Sequence, residues 1–168
     1  GALRGGFLNA RDAPLSRVRV DVEAGDVTLR GAARFEAEDL EVRRSQRSGL
    51  NLGVGSTARL RRVRVVDAGE RGVRVAEEAT LDAEDLILEG NRVGLAAFVD
   101  TRASIHRLLA ARNQDVGLVI EPATLGTRAG ELWVVEGLIA SQPVGLRVST
   151  AYDLSRVMVR VRYRPVEY

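Results

Sequence analysis

The sequence predicts an all-β fold: a parallel β-helix of about seven coils, each of roughly 22 residues and three short strands. Three observations predict it. First, the segment Ala33 to Val42, ARFEAEDLEV, returns as ATLDAEDLIL from Ala79 to Leu88, and APLSRVRV from Ala13 returns as ARLRRVRV from Ala58. These two series are spaced 46 and 45 residues apart and interleave, so the unit is half that length. Second, a glycine followed by an apolar residue recurs at Gly49, Gly72, Gly94, Gly117 and Gly145, in steps of 23, 22, 23 and 28. Third, apolar and polar residues alternate over only three to five positions at a time, the pattern of short strands with one face inward.

Within each unit the first strand holds an inward pair, such as Leu50/Leu52, Val73/Val75, Leu95/Ala97 and Leu118/Ile120. The second contributes one apolar position: Leu15, Phe35, Leu60, Leu81, Ile105, Leu132, Leu154. The third holds pairs such as Leu40/Val42, Val63/Val65, Leu86/Leu88 and Leu108/Ala110. Equivalent strands of successive coils pair in parallel about 4.8 Å apart, stacking the inward residues into columns. The long last step places an insertion of about six residues in Pro122 to Arg128. Thr101 to Gln114 has helix-forming composition, and a helical insertion is the alternative there. The repeat instead puts Ile105, Leu108 and Ala110 in the columns and favours a strand.

The residue before the third strand alternates in sign: Arg17, Asp39, Arg62, Asp85, Arg107, Glu136, Arg156. Its distance from the second-strand apolar residue alternates too, two residues for Arg and four for the acids, implying a true period of two coils. Stacked like charges would repel, so alternation makes neighbours attract and penalises a one-coil slip. This accounts for Asp39 and Asp85 without invoking Glu38-Asp39 or Glu84-Asp85 as acid/base pairs. Asn91, Gln46, Gln142 and Asn113 fall before the restarts, where stacked amides can hydrogen-bond from coil to coil. His106, the single histidine, has no second histidine, cysteine or nucleophile placed beside it.

The stretch GNRVGLAAF, with Asn91 three residues before Gly94, resembles the repeat of right-handed parallel β-helix proteins of the pectate-lyase-like superfamily. The resemblance spans Leu15 to Val161 and implies a right-handed helix. It implies little about activity, because the fold hosts lyases, glycosidases, adhesins, tailspikes and scaffolds. The Asn-Thr-Asp, Asp-Asp and Gly-His-Gly motifs of polygalacturonase-like members do not occur. Outward first-strand positions, Thr28, Asn51, Arg74, Ala96, Val119 and Arg147, carry no carboxylate of the kind a pectate-lyase-like site needs.

Composition excludes other classes. With 25 basic and 23 acidic residues the charge is nearly balanced, against a nucleic-acid footprint. Every basic residue is arginine, as codon usage in a GC-rich genome would give; bidentate recognition of acidic sugars is the functional alternative. The absence of cysteine excludes disulfides and thiolate chemistry. The longest apolar run, Val93 to Val99, is too short to span a bilayer. Residues 1–168 are expected to form one domain excised from a longer chain.

Two candidate regions follow. Glu78, Asp100 and Glu121, on successive coils beside the insertion and near Arg102 and Arg128, would suit a carbohydrate cleft or a Ca²⁺ site. Ile87, Leu109, Leu138 and Met158 would form an outward apolar stripe covered by an adjoining domain or a second copy. No catalytic residue and no metal ligand set is assigned. The expected role is a non-catalytic structural or interaction module of a larger exported bacterial protein, secreted or at the cell surface. The alternatives are a polysaccharide lyase or hydrolase, and a carbohydrate-binding module using the same cleft.

Overall fold

In the computed structural model, side chains are described for residues 34–123 and 130–149; the strands outside those ranges are described by backbone pairing alone. The described residues form only strands: β1 (Ala2–Arg4), β2 (Leu8–Asn9), β3 (Pro14–Ser16), β4 (Arg19–Asp21), β5 (Val27–Leu29), β6 (Arg34–Arg43), β7 (Leu50–Leu52), β8 (Thr57–Val66), β9 (Arg71–Val75), β10 (Thr80–Glu89), β11 (Val93–Phe98), β12 (Arg102–Ala111), β13 (Val116–Glu121), β14 (Glu131–Ala140), β15 (Val144–Val148) and β16 (Val157–Arg164). They make two parallel sheets. One has nine strands, in the order β1-β4-β6-β8-β10-β12-β14-β16, with β3 also on β6; the other has seven, from β15 down to β2. Consecutive strands of one sheet are separated in sequence by a strand of the other, so the chain winds as a right-handed β-solenoid. About four turns, from β6 to β14, lie in the fully described part, beside the seven or so expected along the whole length.

From β6 to β14 each coil therefore shows two strands, one short and one of ten residues, because the second and third legs run together. The long strand bends at Asp39, Arg62, Asp85, Arg107 and Glu136, each with φ between 50° and 59°. These are the charged positions of the alternating column. A left-handed residue turns the strand through a corner without interrupting the ladder on either side. In the region expected as strand or helix, 101–114, residues 102–111 are strand β12 and none is helical.

Register corrects the two-coil turn length. Leu81 pairs with Ala58 and Ala103, and Ala83 with Leu60 and Ile105. Phe35 likewise pairs with Ala58 and Ala37 with Leu60, so every coil has two inward positions before the corner and the turn has one length. What alternates is side-chain size: Phe35/Ala37, Ala58/Leu60, Leu81/Ala83, Ala103/Ile105, all buried. The residues assigned to a single second-strand column belong to two, in which large side chains interdigitate with small ones. In these two columns each large side chain has a small one on the neighbouring rung, whereas the columns Leu40-Val63-Leu86-Leu108 and Leu50-Val73-Leu95-Leu118 stack large on large.

The glycine restarts are close approaches. A Cβ on Gly94 would sit 2.4 Å from the Gly117 carbonyl oxygen, and one on Gly72 2.6 Å from that of Gly94. Beside them runs a buried amide ladder. Asn91 Nδ2 donates to Val65 O and to Asn113 Oδ1, Asn113 Nδ2 to Leu88 O and Gln142 Oε1, and Gln142 Nε2 to Ala110 O. Gln46 is not in it: the equivalent place in its coil is the buried Ser45, whose hydroxyl donates to Ser48 O, while Gln46 is exposed.

Candidate functional site

The outward side chains of the first half of the long strands build a polar surface. Pairing aligns Arg59, Asp82, Ser104 and Trp133 in one outward column, and Arg61, Glu84 and His106 in the next, toward the corner. Two shallow cavities lie on this face and share Asp82. One, about 260 Å³, is lined by Arg59, Arg61, Asp82, Glu84 and His106. The other, about 140 Å³, is lined by Thr80, Asp82, Arg102, Ser104, Glu131 and Trp133. Together they form a groove across β8, β10, β12 and β14, along the helix axis. Trp133 is 36% exposed and its indole N–H donates to Glu131 Oε2 at 3.2 Å, which fixes the ring on the surface.

Charges in the groove are largely compensated. Arg59 lies 3.5 Å from Asp82, and Arg61 is paired with Glu84. Arg102 is exposed and has no carboxylate partner among the described residues. At the corner, Arg107 Nε donates to Asp85 Oδ1 at 2.5 Å and its Nη2 to Glu84 Oε1 at 2.5 Å. Those hydrogen bonds hold both carboxyls below their ordinary range and raise the Arg107 guanidinium above its own. Arg62 grips Asp39 with two contacts, at 2.6 and 3.2 Å, and also pairs with Glu38. The alternating charges therefore pair two coils at a time, and Arg61–Glu84 links one such pair to the next. His106 Nδ1 contacts Arg107 Nη1 at 2.9 Å. Because guanidinium only donates, Nδ1 accepts and the imidazole proton is on Nε2, 3.9 Å from Glu136.

Glu78, Asp100 and Glu121 lie at or just after the ends of β9, β11 and β13, three neighbouring strands of the seven-stranded sheet. Glu78 is exposed in the turn after β9 with φ 59°, Asp100 is buried in the turn after β11, and Glu121, half-buried, ends β13. Glu121 Oε1 accepts from Arg71 Nη2 at 3.0 Å. Glu78 and Asp100, equivalent in the register of β9 and β11, thus differ in depth. Of that group Arg102 alone lines the groove; Arg128 lies outside the described residues, as do Arg17, Leu154 and Arg156 of the columns. No three His, Asp or Glu side chains among the described residues are grouped to hold a metal ion.

Ile87, Leu109 and Leu138 do align in one outward column, each half-buried. Met158 leaves it: pairing places Met158 beside Trp133 and puts Arg162 beside Leu138. The register shift between Val134 and Gly137 puts a single residue of β16, Arg160, opposite the two residues Val135 and Glu136. Backbone pairing thus sets Arg160 next to Glu136.

On the seven-stranded sheet the outward column Asn51, Arg74, Ala96, Val119, Arg147 is aligned as expected. Its middle is not a surface. Ala96 and Val119 are buried with Val116 in a small apolar cluster outside the main core. Arg74 lies 5.1 Å from the Phe98 ring centroid and donates to Asn51 Oδ1 at 3.1 Å. Burial, then the nearby charge of Arg71, lowers its affinity for its proton.

Fold and surface together define a right-handed parallel β-helix with a polar groove on one outer face. Among solved structures the chain is similar to the periplasmic alginate epimerase AlgG, solved as a point mutant, with a TM-score of 0.66 and 14% sequence identity. The match covers 97% of this chain and 46% of that one, so the chain spans less than half the length of its structural neighbour. No protein-family model matches the sequence. No curated protein matches it either.

Proposed function

We propose that this β-helix is a non-catalytic interaction module that holds an extended polysaccharide along the groove on its long strands, within an exported protein. The observation that carries the reading is Trp133: a large aromatic ring exposed on a rigid strand, hydrogen-bonded by its own N–H, at the wall of a cavity shared with Arg102 and Ser104. An indole face packs against the C–H face of a pyranose, while the guanidinium and hydroxyl meet its hydroxyl groups. Rungs about 4.8 Å apart place one row of side chains per sugar unit along the axis. The periplasmic location of the structural neighbour supports the exported setting. Trp133 is the only tryptophan, so its fluorescence reports the groove directly. Saturable change in that emission on titration with oligosaccharides, without product formation, is the expected result. An emission unmoved by every saccharide tested would sink the reading.

A second reading, modification of the bound polymer, is favoured by His106. Its Nε2–H is fixed by Arg107 and it lines the larger cavity beside Glu84 and Arg61, a set able to move a proton. In this reading the working residues are His106, Glu84 and Arg61. Turnover that is abolished in His106→Gln while binding persists would establish it.

A further inference from the structure

We infer that the polysaccharide taken by the groove is an uncharged one, not a polyuronate. This rests on the reading that the groove binds a saccharide, and concerns which class. The ionised residues lining the two cavities are Arg59, Arg61 and Arg102 against Asp82, Glu84 and Glu131, three of each sign. Two of the three arginines are already engaged: Arg59 with Asp82, and Arg61 with Glu84, which also accepts from Arg107. A polymer carrying one carboxylate per sugar would bring a negative charge to every rung. On β10 it would meet Asp82 and Glu84, and on β14 Glu131, with Arg102 alone free to answer it. Repulsion of that kind lowers affinity for a like-charged ligand even where shape and stacking fit.

The same ion pairs suit neutral sugars. A carboxylate held by a guanidinium still has lone pairs for sugar hydroxyls, and the guanidinium has donors left over. Arg59–Asp82 and Arg61–Glu84 therefore present alternating donors and acceptors at fixed spacing. Thr80 and Ser104 add hydroxyls, and Trp133 supplies the apolar platform. A neutral ligand gains these contacts with no charge to desolvate, so its binding depends little on ionic strength.

The experiment titrates the full chain with cellohexaose, mannohexaose and xylohexaose, and in parallel with hexagalacturonate and hexamannuronate, following Trp133 emission at low and high salt. The expected result is saturable binding of at least one neutral hexaose, insensitive to salt, with both uronates weaker by about tenfold or more at low salt. Uronates binding as tightly as, or more tightly than, every neutral hexaose would overturn the inference and leave the saccharide site standing. No binding by any of the five would remove the site itself. A variant gives an independent check. Asp82→Asn frees Arg59 and leaves the groove with one net positive charge, and Asp82 is exposed, so folding is preserved. The ratio of uronate to neutral affinity should rise several-fold; an unchanged ratio would show that groove charge does not select the ligand.

Discussion

Asp85 shows how one side chain serves two demands. It has a left-handed backbone, tolerated better by Asp and Asn than by most residues, and it turns the long strand at its corner. It also lies between Arg62 and Arg107 in the stack, gripped by the latter. Arginine occupies the same left-handed corner in both neighbouring coils, so the backbone alone does not forbid it at position 85. Asp85→Arg should therefore act through charge, lowering the melting temperature by more than either Asp85→Ala or Asp85→Asn. Equal melting temperatures for the Arg and Ala variants would show that the alternation has no energetic weight. Acid titration isolates the same contact. Arg107 lowers the carboxyls of Asp85 and Glu84, so the unfolded chain binds more protons than the folded one in the acid range. The resulting stabilisation is complete above the ordinary values of 3.8 and 4.5 and is lost as pH falls through the lower folded values. In thermal melts, the gap between the parent and Arg107→Gln should be wide at neutral pH and close below pH 3.8; a gap constant with pH would assign it to packing instead.

In the strands, inward volume is arranged between coils and not only within them. Leu81 faces Ala58 and Ala103 above and below, and Ala83 faces Leu60 and Ile105. Leu81→Ala leaves a cavity, at a cost of about 2–5 kcal/mol. Ala83→Leu overfills the neighbouring column, at about 1–3 kcal/mol. Exchanging the two keeps the volume of β10 unchanged but puts three small residues in one column and three large ones in the other. The double variant Leu81→Ala/Ala83→Leu should thus remain as destabilised as the worse single variant in urea unfolding. Recovery of parental stability would mean that each coil packs independently. The pattern was written in the sequence as alternating apolar spacing. The large residues alone imitate an alternating turn length, because their partners in each strand are alanines.

For the whole solenoid, both alternations share a period of two coils. Deleting one coil, residues 57–79, would set Glu38 and Asp39 against Glu84 and Asp85 and bring Phe35 into line with Leu81. Deleting two, residues 57–101, would set Glu38 and Asp39 against His106 and Arg107 and Phe35 against Ala103, preserving both patterns. Stability in a solenoid is close to a sum over repeats and their interfaces, so the larger deletion removes more favourable contacts. Circular dichroism melts should nonetheless show the two-coil deletion to be the more stable protein. A higher melting temperature for the one-coil deletion would show that neighbour matching is a minor contribution. The groove depends on the same long-range order. Trp133, Ser104, Asp82 and Arg59 come from four strands and meet only because each coil returns in register.

The residues alone determine the repeat, the inward columns, the change of sign from coil to coil, the insertion after Glu121 and the strand character of 102–111. These follow from neighbours two residues or one coil apart, and side-chain polarity reports them directly. Tertiary structure decides the rest. It joins two predicted legs into one strand through left-handed corners, splits one column into two, and moves Met158 beside Trp133. It sets Glu78, Asp100 and Glu121 at different depths and assembles a groove around Trp133 and Arg102. The cause is register: which residues face each other across coils depends on backbone conformation at a corner and on a one-residue shift, and neither leaves a mark in the polarity pattern.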